Sequence, residues 1–193
     1  MTRTLCLAQE PEADELLSTD DFALLVGMLL DQQYPMEHAF RGPRKLADRM
    51  GGFSLRQIAE ADPAEFEEIA ATPPAIHRYG RSMARRAQAL ARYVIEHYDG
   101  EPAGIWTVGD PDGKEVLRRL QDLPGFGAQK AKIFLALLGK QRGVEPAGWR
   151  TVVGAYGDDG SRRSVADVVD AESLSEVREF KKKAKAEAKA AEK

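Results

Sequence analysis

Cysteine is almost missing from this chain. Cys6 is the only one in 193 residues, so no disulfide framework, cysteine-ligated zinc site or iron–sulfur cluster can be assembled within it. Histidine is scarce as well: His38, His77 and His97 fall on separate segments without ligand spacing, and neither a metal nor another cofactor is expected. No apolar run approaches the roughly 20 residues of a membrane span, and the opening MTRTLCLAQEPEADELL has charge where a secretion signal needs its apolar segment. A cytoplasmic protein without membrane association is therefore expected. A basic excess is also lacking. The net charge is −3, and because the last thirteen residues hold six Lys and two Glu, residues 1–180 together carry −7. That balance argues against tight non-specific attachment to nucleic acid.

Convincing period-two alternation is absent too, and the segments that remain read as helices. Asp20 is placed to cap a helix in which Phe22, Leu25, Val26, Leu29 and Leu30 recur at helical spacing. A weaker pattern follows, broken near Gly42-Pro43. Ser54 and Asp62-Pro63 then open two short helices, and Ser82 to Tyr98 reads as one long amphipathic helix closed by Gly100. Asp110-Pro111 caps a further helix. Ser164 is expected to cap a helix through Val169, and Asp170 or Ser173 to cap the one that runs into the Lys/Ala tail. TLCL at residues 4–7 reads as a short strand or an extended arm. The expected fold is all-α, a two-lobed helical bundle. One lobe covers about residues 20–110; the other covers about 111–180 and includes the N-terminal arm, with residues 181–193 as a tail.

The most informative stretch is Leu123 to Gly139, LPGFGAQKAKIFLALLG. Pro124, Gly125 and Gly127 form a turn between two helices, and the second helix opens with unpaired amide groups at the positive end of its dipole. A phosphate oxygen could be held there by main chain alone, with Lys130 and Lys132 adding charge. The same residues would also serve as a plain αα-hairpin turn.

Three segments together resemble the helix-hairpin-helix (HhH-GPD) DNA glycosylase superfamily, the group of endonuclease III and the alkyladenine glycosylases. FALLVGMLLDQQ (22–33) is similar to the family's opening helix, whose end supplies a glutamine that wedges into DNA. IHRYGRSMARRAQALARYVIEHYDG (76–100) is similar to its turn and long helix, and 123–138 to the hairpin that names the group. The resemblance implies base excision repair: binding of damaged double-stranded DNA by a monomer, located at the nucleoid when bound, and extrusion of one nucleotide for glycosidic cleavage. It assigns DNA contacts to Gly125, Phe126, Gly127, Gln129, Lys130 and Gln32 or Gln33, with Gln33 or Gln32 filling the gap in the stack or else merely capping a helix end. Tyr34 and Trp149 are pocket candidates, although Trp149 would equally close the core.

The departures from the family pattern matter as much. Gln129 stands where bifunctional members place a lysine nucleophile, so lyase chemistry is not expected by that route, and Lys130, turned by about 100°, reads as a phosphate contact. The family's catalytic aspartate should fall near Val144 to Arg150, where none occurs. Glu145 and Asp31, then Asp158 or Asp159, are the carboxylates left to consider; each also has an ordinary reading as a loop, helix-end or turn acid. Three functions follow: a monofunctional DNA glycosylase, a non-catalytic DNA-binding member of the same fold, or a helical protein-interaction module.

Overall fold

The computed structural model describes residues 4–192, and among these every regular element is a helix. They are α1 (Pro11–Thr19), α2 (Asp21–Leu30), α3 (Met36–Met50), α4 (Leu55–Glu60), α5 (Pro63–Ala71), α6 (Gly80–Tyr98), α7 (Gly104–Thr107), α8 (Gly113–Gln121), α9 (Ala128–Gln141), α10 (Trp149–Val153) and α11 (Ala171–Ala191). Two 3₁₀ turns, Gly154–Gly157 and Val165–Asp167, lie between α10 and α11.

Side-chain caps explain five of the eleven helix starts among the described residues. Asp20 accepts from the Ala23 amide at 2.8 Å, Ser54 from Gln57 at 3.3 Å and Asp62 from Glu65 at 3.0 Å, each taking up an amide that the helix leaves open. The cap of α8 is Asp112, not Asp110: its carboxylate accepts from Glu115 at 2.8 Å. Gly42-Pro43 does not break α3, which runs through both. The residue before a proline is held out of the helical region largely by clash at its Cβ, and glycine has none. A Cβ at Gly42 would lie 2.3 Å from Leu30 Cδ1, so the same glycine also lets α3 sit close against α2.

The helices pack in two groups. α1 to α6 form the first around α2, whose residues from Phe22 to Leu30 are all buried; α7 to α11 form the second around α9. The N-terminal arm departs from expectation. Residues 4–7 form no strand, which leaves the extended-arm reading, but the arm and α1 join the first group, not the hairpin lobe. The Leu5 amide bonds Ser18 Oγ at 2.9 Å, Arg41 Nε donates to the Ala8 carbonyl at 2.8 Å, and α1 packs on α3. Ser164 caps only the short Val165–Asp167 turn, while Asp170 caps α11. That helix continues without interruption into the Lys/Ala segment.

Asp167 organises the descent from the Gly154–Gly160 loop into α11. Its buried carboxylate takes Lys140 Nζ at 2.7 Å, Ser161 Oγ at 2.8 Å and the Arg163 amide at 2.7 Å. Removing one member of a buried ion pair leaves the other charge without compensation, at about 3 kcal/mol or more. Asp167→Ala should therefore lower the stability read from a urea transition by about that amount, while Asp159→Ala, which loses one exposed pair with Arg150, should change it by less than about 1 kcal/mol.

Candidate nucleic-acid interface and cleft

The hairpin is built by α8, a turn at 122–127 and α9. Gly125 has φ +83°, a left-handed conformation that a side chain resists, and a Cβ there would lie 2.4 Å from Leu29 Cδ1. Gly127 is different: it is extended, exposed, and has nothing within 4 Å of a Cβ position. It stands at the N-cap of α9 with no side chain capping the helix, and Gly127, Ala128 and Gln129 are exposed, so the amides that open α9 are left without an intrahelical partner. Phe126 is buried and meets Phe134 edge-on at 5.9 Å. The turn thus has an apolar inner side and an open backbone side.

The hairpin is fastened to the end of α2. Lys130 Nζ donates to the Met28 carbonyl at 2.7 Å and the Leu29 carbonyl at 3.1 Å, occupying acceptors that a helix C-terminus leaves open. Burial holds the amine well below the usual lysine value, at about 8 against 10.5; the nearby Asp31 opposes that shift, and Arg86 and Lys181 add to it.

Beside this junction lies a cleft of about 730 Å³. Met28, Ile133, Ala155, Phe180 and Ala184 supply its apolar lining, and Asp31, Gln32, Gln129, Lys130, Tyr156, Arg163 and Lys181 its polar groups. Asp31 is the single carboxylate in the lining. Burial pushes its acid upward from the ordinary aspartate value, with Lys181 and Lys130 pulling the other way.

After Asp31 the chain turns through Gln32 and Gln33. Gln32 is tied back: Nε2 donates to the Leu29 carbonyl at 3.0 Å and Oε1 accepts from Arg86 at 3.3 Å. Gln33 is exposed, takes φ +51°, and its side chain has no hydrogen bond among the described residues. Beneath the turn His77 is buried. The Tyr79 amide donates to its Nδ1 at 3.0 Å, which leaves Nε2 to carry the proton and donate to the Gln32 carbonyl at 2.9 Å. Burial lowers the imidazole's pKa, in keeping with a neutral ring.

A family model described as HhH-GPD superfamily base excision DNA repair protein matches residues 26–193. The chain belongs to that family. No curated protein and no solved structure matches it.

Within this base excision repair fold the expected site residues separate. Gly125, Gly127, Gln129, Gln32 and Asp31 surround one junction, with Gln33 exposed on the same turn. Phe126 and Trp149 do not belong to that surface. Phe126 is core, and its amide is already spent on the Leu123 carbonyl at 3.0 Å. Trp149 is buried against α9, its ring 2.6 Å from where a Gly139 Cβ would be. Tyr34 lies tilted against His77, ring centroids 4.7 Å apart, outside the cleft lining. Lys130 is a junction staple rather than a free phosphate ligand. Glu145 is exposed and does not line the cleft, Asp159 pairs with Arg150 at 3.0 Å, and the Asp158 carbonyl accepts from Lys140 at 2.7 Å. Gln129 donates to Tyr156 Oη at 2.9 Å. Tyr156, Arg163, Phe180 and Lys181 carry no local sequence signal for the site, because residues 26 to 51 positions beyond Lys130 reach the cleft only through the fold.

Between pH 8 and 10.5 the unfolded chain keeps a proton that the native Lys130 has released, so stability gains a contribution as pH rises through that window. Urea midpoints at pH 8 and pH 10 should therefore rise in the wild type relative to Lys130→Met. Gly125→Ala combines left-handed strain with the Leu29 clash and should cost about 1–3 kcal/mol, while Gly127→Ala should leave the melting temperature nearly unchanged.

Proposed function

We propose that this protein is a monofunctional DNA glycosylase of base excision repair. It would hold damaged duplex DNA at the open amides of α9, fill the vacated stack with Gln33, and take the extruded nucleotide into the cleft for hydrolysis of its N-glycosidic bond. The observation that carries this reading is the adjacency of an uncapped, exposed helix start to a cleft with a single carboxylate. The phosphate grip needs main-chain donors and no side chain, which is what Gly127 leaves accessible. Backbone contacts of this kind position a strand without reading its sequence.

Asp31 is the group we assign to the reaction. Glycosidic cleavage builds positive charge on the sugar, which a carboxylate stabilises while it orients the attacking water. The apolar lining strengthens that interaction. The absence of a lyase step rests on two side chains: Gln129 has no amine to form a Schiff base, and the amine of Lys130 is engaged with two carbonyls. A second reading is favoured by the 144–150 segment, which holds no aspartate and whose one acid, Glu145, is away from the cleft. On that reading the same surfaces bind distorted DNA without cutting it.

Duplexes holding single uracil, inosine, alkylated or oxidised bases, followed by alkaline cleavage of abasic sites, test the choice. The glycosylase reading expects product from at least one lesion, strand cleavage only after alkali, and loss of at least about 100-fold in rate for Asp31→Asn. It also expects the rate to rise with pH as the upward-shifted Asp31 acid ionises. No product from any lesion, with DNA binding intact, would leave the non-catalytic reading.

A further inference from the structure

The Lys/Ala segment at the end of the chain is not a detached tail, and its charges are arranged. α11 begins with buried Ser173, Leu174 and Val177; beyond Val177 its residues are exposed, yet it runs on as one helix past the cleft. Phe180, Lys181 and Ala184 line that cleft, Arg163 lies over the Phe180 ring at 5.0 Å, and Arg178 bonds Glu37 of α3 in the opposite helix group. At about 100° per residue, Lys181, Lys182, Lys185 and Lys189 share with Arg178 an arc of about 100°, and Glu176, Glu179 and Glu187 fall outside it. Lys183 falls on the far side. The four lysines of the stripe make no hydrogen bond or ion pair among the described residues. Many arginines of the acidic body, such as Arg44, Arg81, Arg85 and Arg118, are instead held by carboxylates.

Building on the DNA-binding reading above, we propose that this stripe is a second backbone-binding rail, along which α11 holds the phosphates of the duplex whose nucleotide occupies the neighbouring cleft. Charge complementarity selects the occupant. A row of unpaired ammonium groups about 12 Å long, at 1.5 Å per residue, matches a polyanion with regularly spaced charges. Its position matters as much as its sign: the rail starts at the cleft wall with Lys181, so a strand lying on it passes the cleft mouth. Because the rest of the chain is net acidic, the rail also determines which side of the protein DNA approaches.

The test is a salt titration of the full chain on two 25-base-pair duplexes, one intact and one carrying a tetrahydrofuran abasic-site analogue. Each phosphate contact contributes about 0.9 to the slope of log affinity against log salt. Replacing Lys181, Lys182, Lys185 and Lys189 together by Ala, the best helix former, should make that slope shallower by about 3 to 4 on both duplexes, with helicity by circular dichroism preserved. Lys185→Ala alone should lower it by about 0.9 and Lys183→Ala should not change it. An unchanged slope in the quadruple variant, with a steep slope in the wild type, would overturn the rail and leave the glycosylase reading standing. A slope near zero in the wild type would overturn both. Equal effects of Lys183→Ala and Lys185→Ala would reduce the stripe to undirected attraction and also overturn it.

Discussion

The bond from the Lys130 amine to the last carbonyls of α2 determines where everything else in this molecule can act. It joins the helix that begins at the open turn to the helix that ends in Asp31-Gln32-Gln33. Gly125 reinforces the junction from the other side, since only a residue without Cβ leaves room for Leu29. A phosphate held at the start of α9 would therefore stand beside both the exposed Gln33 and the cleft. Without that bond the hairpin, whose own Gln129 and Ile133 line the cleft, would be held against the end of α2 by the Gly125–Leu29 approach and core packing alone.

The junction is also a place where polar groups are drawn out of water. Lys130 and Asp31 are both displaced from their ordinary ionisation by burial, in opposite senses, and each partly relieves the other. Departures of this kind concentrate at functional sites because a reacting group must be poised near its working pH. His77 extends the same pattern outward. Its neutral ring, fixed by two hydrogen bonds, supports the Gln32–Gln33 turn from below. The left-handed backbone at Gln33 is thus held by its surroundings, as a residue meant to project would have to be.

Much of the fold was legible because it rests on short-range chemistry. The caps at Asp20, Ser54 and Asp62, the apolar stripe of α6 and the Pro-Gly hairpin each follow from residues a few positions apart. α1 carried little signal because PEADELLST holds few apolar residues, and α3 reads as two pieces because Gly-Pro usually marks a break, whereas a glycine without Cβ removes the clash that would end the helix there. The site was legible only in part. Motif position alone brought Gln129, Gln33 and Asp31 to notice. It could not separate Gln32, which is tied back, from Gln33, which is free, nor reveal that Phe126 and Trp149 point into the core. The wall contributed by Tyr156, Phe180 and Lys181 depends on the path of the chain after α9, which no local pattern encodes.

The central claim is that the first amides of α9 bind a DNA phosphate while the adjoining turn meets the duplex. Titrating a short duplex containing an abasic-site analogue into ¹⁵N-labelled protein tests it directly. The largest amide shifts are expected at Gly127, Ala128 and Gln129, accompanied by Gln33. Shifts that leave those three amides unmoved while other surfaces respond would contradict it.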